Sequence, residues 1–175
     1  MPLPVAHGLI GASIVAALHP RPTRRYFMPL LVGAFLANAA DLDFFLVFTL
    51  HSKAWHRGFT HSFMFALVVC LMFAASLGRR HLRLALAYGL AFASHGILDY
   101  VTTKEGGGVE LLWPFSSDRF VCGWVGLSEL PSRLPATQIV KSLVVEVALF
   151  APLLMLMMWL RKHLWKDART MDNGR

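Results

Sequence analysis

Acidic side chains and thiols are both scarce in this chain. Its 175 residues hold only 10 Asp and Glu and two Cys, and charged residues make up 15 per cent against 56 per cent hydrophobic, with a mean hydropathy of +0.54. A soluble domain carries about 25 per cent charged residues, so this composition excludes a chain folded in water alone. The two cysteines, Cys70 in an apolar run and Cys122 in a loop, have no metal or redox spacing. No internal repeat or low-complexity linker divides the chain, and residues 1–175 read as a single integral membrane domain.

Long apolar runs take the place of the missing charge. Four of them, Phe27 to Leu50, His61 to Leu77, Leu84 to Val101 and Ile139 to Leu160, are each near the roughly 20 residues that cross a bilayer. A fifth, Val5 to Leu18, is shorter. The MPLPVAH that leads into it has no Lys or Arg to form the positive end of a signal peptide, so it is expected to remain as a short or partly inserted helix. The expected fold is all-α, a polytopic membrane bundle of four to five transmembrane helices.

The net charge of +7 and pI near 10.0 would suggest nucleic acid in a soluble protein. Here the basic residues gather at the ends of apolar runs, so no nucleic-acid partner is expected. Arg21, Arg24 and Arg25 follow the first run, Arg79, Arg80 and Arg83 separate the third from the fourth, and Arg161, Lys162, Lys166, Arg169 and Arg175 form a basic tail over residues 162–175 and its approach. The positive-inside rule makes these regions cytoplasmic. Alternation of spans then sends His51 to Thr60 and Thr102 to Ala136 to the outer side. The outer loop between Lys104 and Pro135, with its GGG, WPF and Trp124, suits an interfacial lid or mouth.

Ionisable groups inside membrane helices cost about 2.5–3.5 kcal/mol at the helix centre, so each needs a reason. Asp41 and Asp43 fall late in the second run, His95 and Asp99 late in the fourth, and Glu146 early in the fifth, six residues before Pro152. His7 opens the first segment, and His56 and His61 flank the start of the third. With the topology above, all eight lie in the outer half of the membrane although they come from five segments. His51, His81 and His163 belong to loops or basic flanks and are expected in solvent.

Imidazole and carboxylate together form the ligand set of zinc, manganese and similar divalent ions. His95 and Asp99 are four apart and share a helix face. Asp41 and Asp43 are two apart, about 200° around a helix, and can share a site only if the backbone unwinds or if one of them supports the other's ligands. His56 and His61 can converge across Gly58 if a turn precedes the helix and Thr60 caps it. Four histidines and four acids exceed the needs of one ion, so one or two metals are expected. Taken singly, His95 is more often a structural histidine, and Glu146 can simply pair with Arg57 or Arg119.

The elements ADLD (Ala40 to Asp43), HRGFTHS (His56 to Ser62), SHGILDYVT (Ser94 to Thr102) and LLWPFS followed by Arg119, with His7 in an apolar segment, closely resemble the membrane-bound metal-dependent hydrolases, also described as LexA-binding inner-membrane hydrolases. The resemblance runs from about residue 3 to about residue 155. It implies a hydrolase of the bacterial inner membrane and carries over His7, Asp41, Asp43, His56, His61, His95 and Asp99 as metal ligands. One departure is Ala40, where the family's acidic element has proline. The helical HxxxD is also loosely similar to zinc-dependent phospholipase C, by analogy only.

The expected function is metal-dependent hydrolysis on the extracytoplasmic side, with a phosphoester or lipid headgroup as substrate. Arg57 or Arg119 would hold the phosphate, and Glu146 would act as general base or further ligand. A proton or metal-ion transporter built on the same cluster is the alternative, but the cytoplasmic half offers no matching ionisable chain. Beyond the lipid bilayer, a regulatory protein bound by the basic ends is a third reading, and it has no motif in the sequence.

Overall fold

A computed structural model describes residues 3–19, 27–103, 107–123 and 136–172, with the side chains of the last helix described as far as residue 163. Arg21, Arg24, Arg25, Lys104, Trp124, Pro135 and Arg175 lie outside the described residues, as do the side chains of Lys166 and Arg169. The fold is all-α: α1 (Pro4–Leu18), α2 (Phe27–Leu36), α3 (Phe44–Leu50), α4 (Phe63–Leu77), α5 (Leu82–Thr102) and α6 (Ala136–Asp172). Short 3₁₀ turns occupy Ala39–Asp43, Lys53–Trp55, Phe59–His61 and Arg79–His81. Among the described residues the only extended pairing is an isolated antiparallel bridge between Val109 and Phe120.

Local chemistry sets several boundaries. Pro4 opens α1, where its missing N–H leaves no bond unmade. Ser62 starts α4 by accepting a hydrogen bond from the Phe65 N–H at 3.1 Å, and Thr60, expected in that role, bonds Asp43 instead. Gly78 ends α4 at φ +75°, a conformation that β-carbon-bearing residues rarely adopt.

Arg79–Thr102 and Ala136–His163 are long and apolar enough to cross a membrane, and two bent pairs raise the number of spans to four if each counts as one. The run Phe27 to Leu50 bends by 45° where the 3₁₀ turn replaces α-helix, the unwinding that a site shared by Asp41 and Asp43 requires. Lys53–His61 and Phe63–Leu77 are bent by 53°. At 15 residues α1 is about 22 Å long, short of the roughly 30 Å hydrocarbon core.

The core is built of small residues, including Ala12, Ala16, Ala40, Ala66, Ala87 and Ala91. α1 packs against α2, α5 and α6, and α4 packs against α5. A β-carbon on Gly11 would collide with the Gly33 carbonyl, so these two glycines set how closely α1 and α2 approach. Lipid tails give no hydrophobic drive between helices, and close backbone packing supplies the contact instead. Large apolar side chains such as Phe35, Leu71, Met155 and Trp159 face outward, and the most apolar stretch of α6 is almost wholly exposed.

Helix direction determines what meets what. α1 and α4 begin at the same end of the bundle at which α5 finishes, and the break between α2 and α3 lies there too. The Arg79–His81 turn lies at the opposite end.

Candidate metal centre

The break in the second span brings Asp41 and Asp43 to one side. Successive residues turn about 120° in a 3₁₀ helix instead of 100°, so positions two apart stand nearer one another around the axis than in an α-helix. Asp41 Oδ1 lies 3.3 Å from His95 Nε2 and 3.7 Å from His61 Nε2. Asp43 faces the loop that follows. Its Oδ2 accepts from the Arg57 backbone N–H at 2.8 Å and the Thr60 hydroxyl at 3.3 Å, while Oδ1 lies 3.1 Å from His56 Nδ1. Arg57 adopts a left-handed backbone conformation with φ 60°, a strain of the kind found at functional sites.

His95 and Asp99 project from one face of α5. The His7 ring stacks on His95 with centroids 3.9 Å apart, and its Nε2 is 3.6 Å from Asp99 Oδ1. His61 meets His95 edge-on at 4.8 Å, with Nε2 3.9 Å from Asp99 Oδ2. Gly96 permits this approach, because a β-carbon there would collide with the His61 carbonyl. Arg57 Nε donates to Asp99 Oδ2 at 3.1 Å.

The hydrogen bonds fix which ring nitrogens carry lone pairs. His95 Nδ1 lies 2.6 Å from the Ala37 carbonyl, which can only accept, so Nδ1 carries a proton, and the neutral ring turns the Nε2 lone pair to the cluster. Thr60 gives its proton to Asp43 and accepts from His61 Nδ1 at 3.1 Å, so the neutral His61 ring likewise has its Nε2 lone pair open. This is how metal-binding histidines are oriented: one nitrogen is tied to an acceptor and the other is open.

Five of the atoms that meet here, His7 Nε2, Asp41 Oδ1, His61 Nε2, His95 Nε2 and Asp99 Oδ1, are buried without a hydrogen-bond partner. Leaving one such group unsatisfied costs about 1–3 kcal/mol, so five in one place point to a missing bond common to them. A divalent ion at about 2.0–2.2 Å from tetrahedral ligands would hold them roughly 3.4 Å apart. The donors form three overlapping sets, His7–His95–Asp99, Asp41–His61–His95 and Asp41–Asp43–His56, each with its ligand atoms within 4.8 Å of one another. Charge agrees, since three carboxylates against the Arg57 guanidinium leave two negative charges in a buried cluster, the complement of one divalent cation.

The sequence matches the family described as YdjM inner membrane protein over residues 1–168. The chain belongs to the YdjM inner membrane protein family. It is similar to the inner membrane protein YbcI of Escherichia coli strain K12, with 34% identity over 176 residues covering 93% of this chain and 100% of that protein. No solved structure matches it.

Other polar residues of this YdjM-family chain have different surroundings. Glu146 on α6 stands apart from the donor set: its two carboxylate oxygens accept the backbone N–H groups of Leu3 at 2.6 Å and Ala6 at 3.3 Å, capping α1 just ahead of His7. Neither Arg57 nor Arg119 pairs with it. Arg119 instead bridges Glu110 at 2.9 Å, the His56 carbonyl at 3.2 Å and the Ala54 carbonyl at 2.5 Å, which ties residues 107–123 to the His56 loop. Glu110 N–H donates to the Arg57 carbonyl at 3.0 Å and Phe63 N–H to the Leu111 carbonyl at 3.0 Å, so this segment packs on the loop that carries His56 and His61. His51, His81 and His163 are exposed.

Sequence reasoning passed over Glu110, Thr60's bond to Asp43, and Asn38 and Thr103, which each bury an unpartnered oxygen. For Asn38 the available signal was an amide inside an apolar run, next to the acidic element.

Proposed function

We propose that the chain is a metal-dependent hydrolase whose centre takes one or two divalent ions, zinc or manganese, at the extracytoplasmic end of the bundle. The observation that carries this reading is the set of five buried, unpartnered donor atoms on His7, Asp41, His61, His95 and Asp99. Their chemistry fits the ion, since each imidazole offers one lone pair and each carboxylate two oxygens. His61 and His95 can each serve a single ion, so a second ion would share Asp41 or Asp99.

A divalent ion held by His7, Asp41, His61, His95 and Asp99 would supply the acidity to activate water and the charge to polarise a phosphoester bond. The chain's own groups do the rest. Asp43 fixes His56 and His61, and Arg57 offsets the charge of Asp99. His56, 20% exposed and held through Nδ1 by Asp43, presents Nε2 at the rim, where it can exchange a proton with the substrate side. The residues around Arg119 position this rim by holding the His56 carbonyl. A second divalent ion would turn the cluster's net charge positive, which favours an anionic substrate, and a phosphoester is the class proposed.

The test is elemental analysis of detergent-purified wild type beside folded His95→Ala and Asp99→Ala, together with turnover of bis(p-nitrophenyl) phosphate. We expect one or two equivalents of zinc or manganese and measurable hydrolysis in wild type, both lost in the variants. A wild type that binds no metal even after reconstitution would overturn the reading.

A further inference from the structure

An apolar cavity of about 360 Å³ lies between the bent second span and α4, with α5 as its floor. Its volume is in the range of roughly 300–1,000 Å³ typical of ligand pockets. Leu36, Ala39, Leu42 and Leu46 form one wall, and Phe92 closes the floor. The other wall is Phe65, Val69, Met72 and Phe73, spaced at helical intervals along one side of α4. From Phe65 to Phe73 that stripe runs about 12 Å along the helix, away from the metal centre.

One end of the cavity differs from the rest. Its polar lining is Asp43 and Thr60, the pair that holds His56 and His61 in place. The cavity therefore begins at the wall of the donor cluster and continues down the helices toward the middle of the membrane. Leu42 and Met72 at its edge are 65% and 64% exposed, so it opens sideways, where the surrounding solvent is lipid. Its elements come from segments long and apolar enough to span a bilayer. A groove with a hydrocarbon body and one polar end has the form of an amphiphile with its head at the centre.

We infer that this groove receives an acyl chain, so that the substrate of the proposed hydrolase is a membrane phospholipid entering sideways from the bilayer with its phosphoester headgroup at the His/Asp cluster. The inference rests on the hydrolase reading for its chemistry but not for binding. It excludes a water-soluble phosphodiester as the preferred substrate, since such a molecule leaves the groove empty.

Val69→Trp and Met72→Trp fill the groove from its α4 side, and Leu71→Trp, which adds the same ring to an exposed position outside the lining, is the control. Two quantities are read for each protein: phospholipid retained per protein after detergent exchange, by mass spectrometry, and turnover of phosphatidylglycerol in mixed micelles against bis(p-nitrophenyl) phosphate. Wild type and Leu71→Trp are expected to retain phospholipid and cleave both probes. The groove variants should lose the retained lipid and at least tenfold in phosphatidylglycerol turnover, with metal content and turnover of the soluble diester unchanged. Met72→Trp sits at the open rim and supports the comparison even if Val69→Trp fails to fold. Equal lipid retention and turnover in Met72→Trp and wild type would overturn the inference, as would a wild type that cleaves only the soluble probe. A wild type that retains lipid, loses it in the variants and cleaves neither probe would sink the hydrolase reading and leave the groove standing.

Discussion

Asp41 and Asp43 lie two residues apart and differ in what their oxygens touch. Asp43 is fully engaged by the Arg57 N–H, the Thr60 hydroxyl and His56, so it acts by holding other groups. Asp41 Oδ1 has no partner and faces two imidazoles. Asp43→Asn keeps the shape but replaces one acceptor with a donor, so His56 and the 56–61 turn lose their fixed orientation. Its metal affinity should drop roughly 10–100-fold, with full stoichiometry recovered at saturating metal. Asp41→Asn should fail to reach wild-type stoichiometry at any concentration. Metal content after dialysis against buffered free zinc distinguishes the two, and identical titration curves would show that the residues share one role.

At the scale of elements, α1 carries His7 into the cluster, and its start is held by a side chain from the far end of the chain. Glu146 accepts the Leu3 N–H, one of those a helix start leaves without an intrahelical partner, and shares the Ala6 N–H with the Leu3 carbonyl. A side-chain acceptor of this kind is worth about 0.5–2 kcal/mol. Glu146→Gln should therefore lower thermal stability in detergent while leaving metal content and turnover within a few-fold of wild type. A general base would show the reverse, a loss of about 10²–10⁴-fold in turnover with metal and stability intact. The same element shows what a sequence can and cannot disclose. His95 and Asp99 were readable as a pair because α-helical periodicity fixes positions four apart. The meeting of Asp41 with Asp43 depended on a 3₁₀ turn inside an otherwise apolar run, which composition does not announce. Glu146 and α1 are more than a hundred residues apart, and Arg119 reaches Glu110 through an irregular loop, so neither contact follows any period.

For the whole molecule, the order of apolar and basic segments made the membrane bundle legible, because each span reverses direction and the long apolar runs are hard to mistake. The two bends showed in the sequence only as conditions, an unwinding at Asp41 and Asp43 and a turn before the third run, and their angles of 45° and 53° follow from no period. The donor cluster lies at the end opposite the Arg79–His81 turn, and the proposed orientation, which rests on the positive-inside rule, has that turn in the cytoplasm. The two native cysteines test the assignment without any substitution. Cys122 is exposed in the segment that packs on the loop carrying His56 and His61, while Cys70 lies partly buried on α4, packed where a β-carbon on Gly89 would meet it at 2.5 Å. A membrane-impermeant maleimide added to intact spheroplasts should label Cys122 and leave Cys70 unmodified, with Cys122→Ser abolishing the signal. Labelling of Cys122 only after the membrane is opened would invert the bundle, put the cluster at the cytoplasmic face, and make any lipid drawn into the groove one of the inner leaflet.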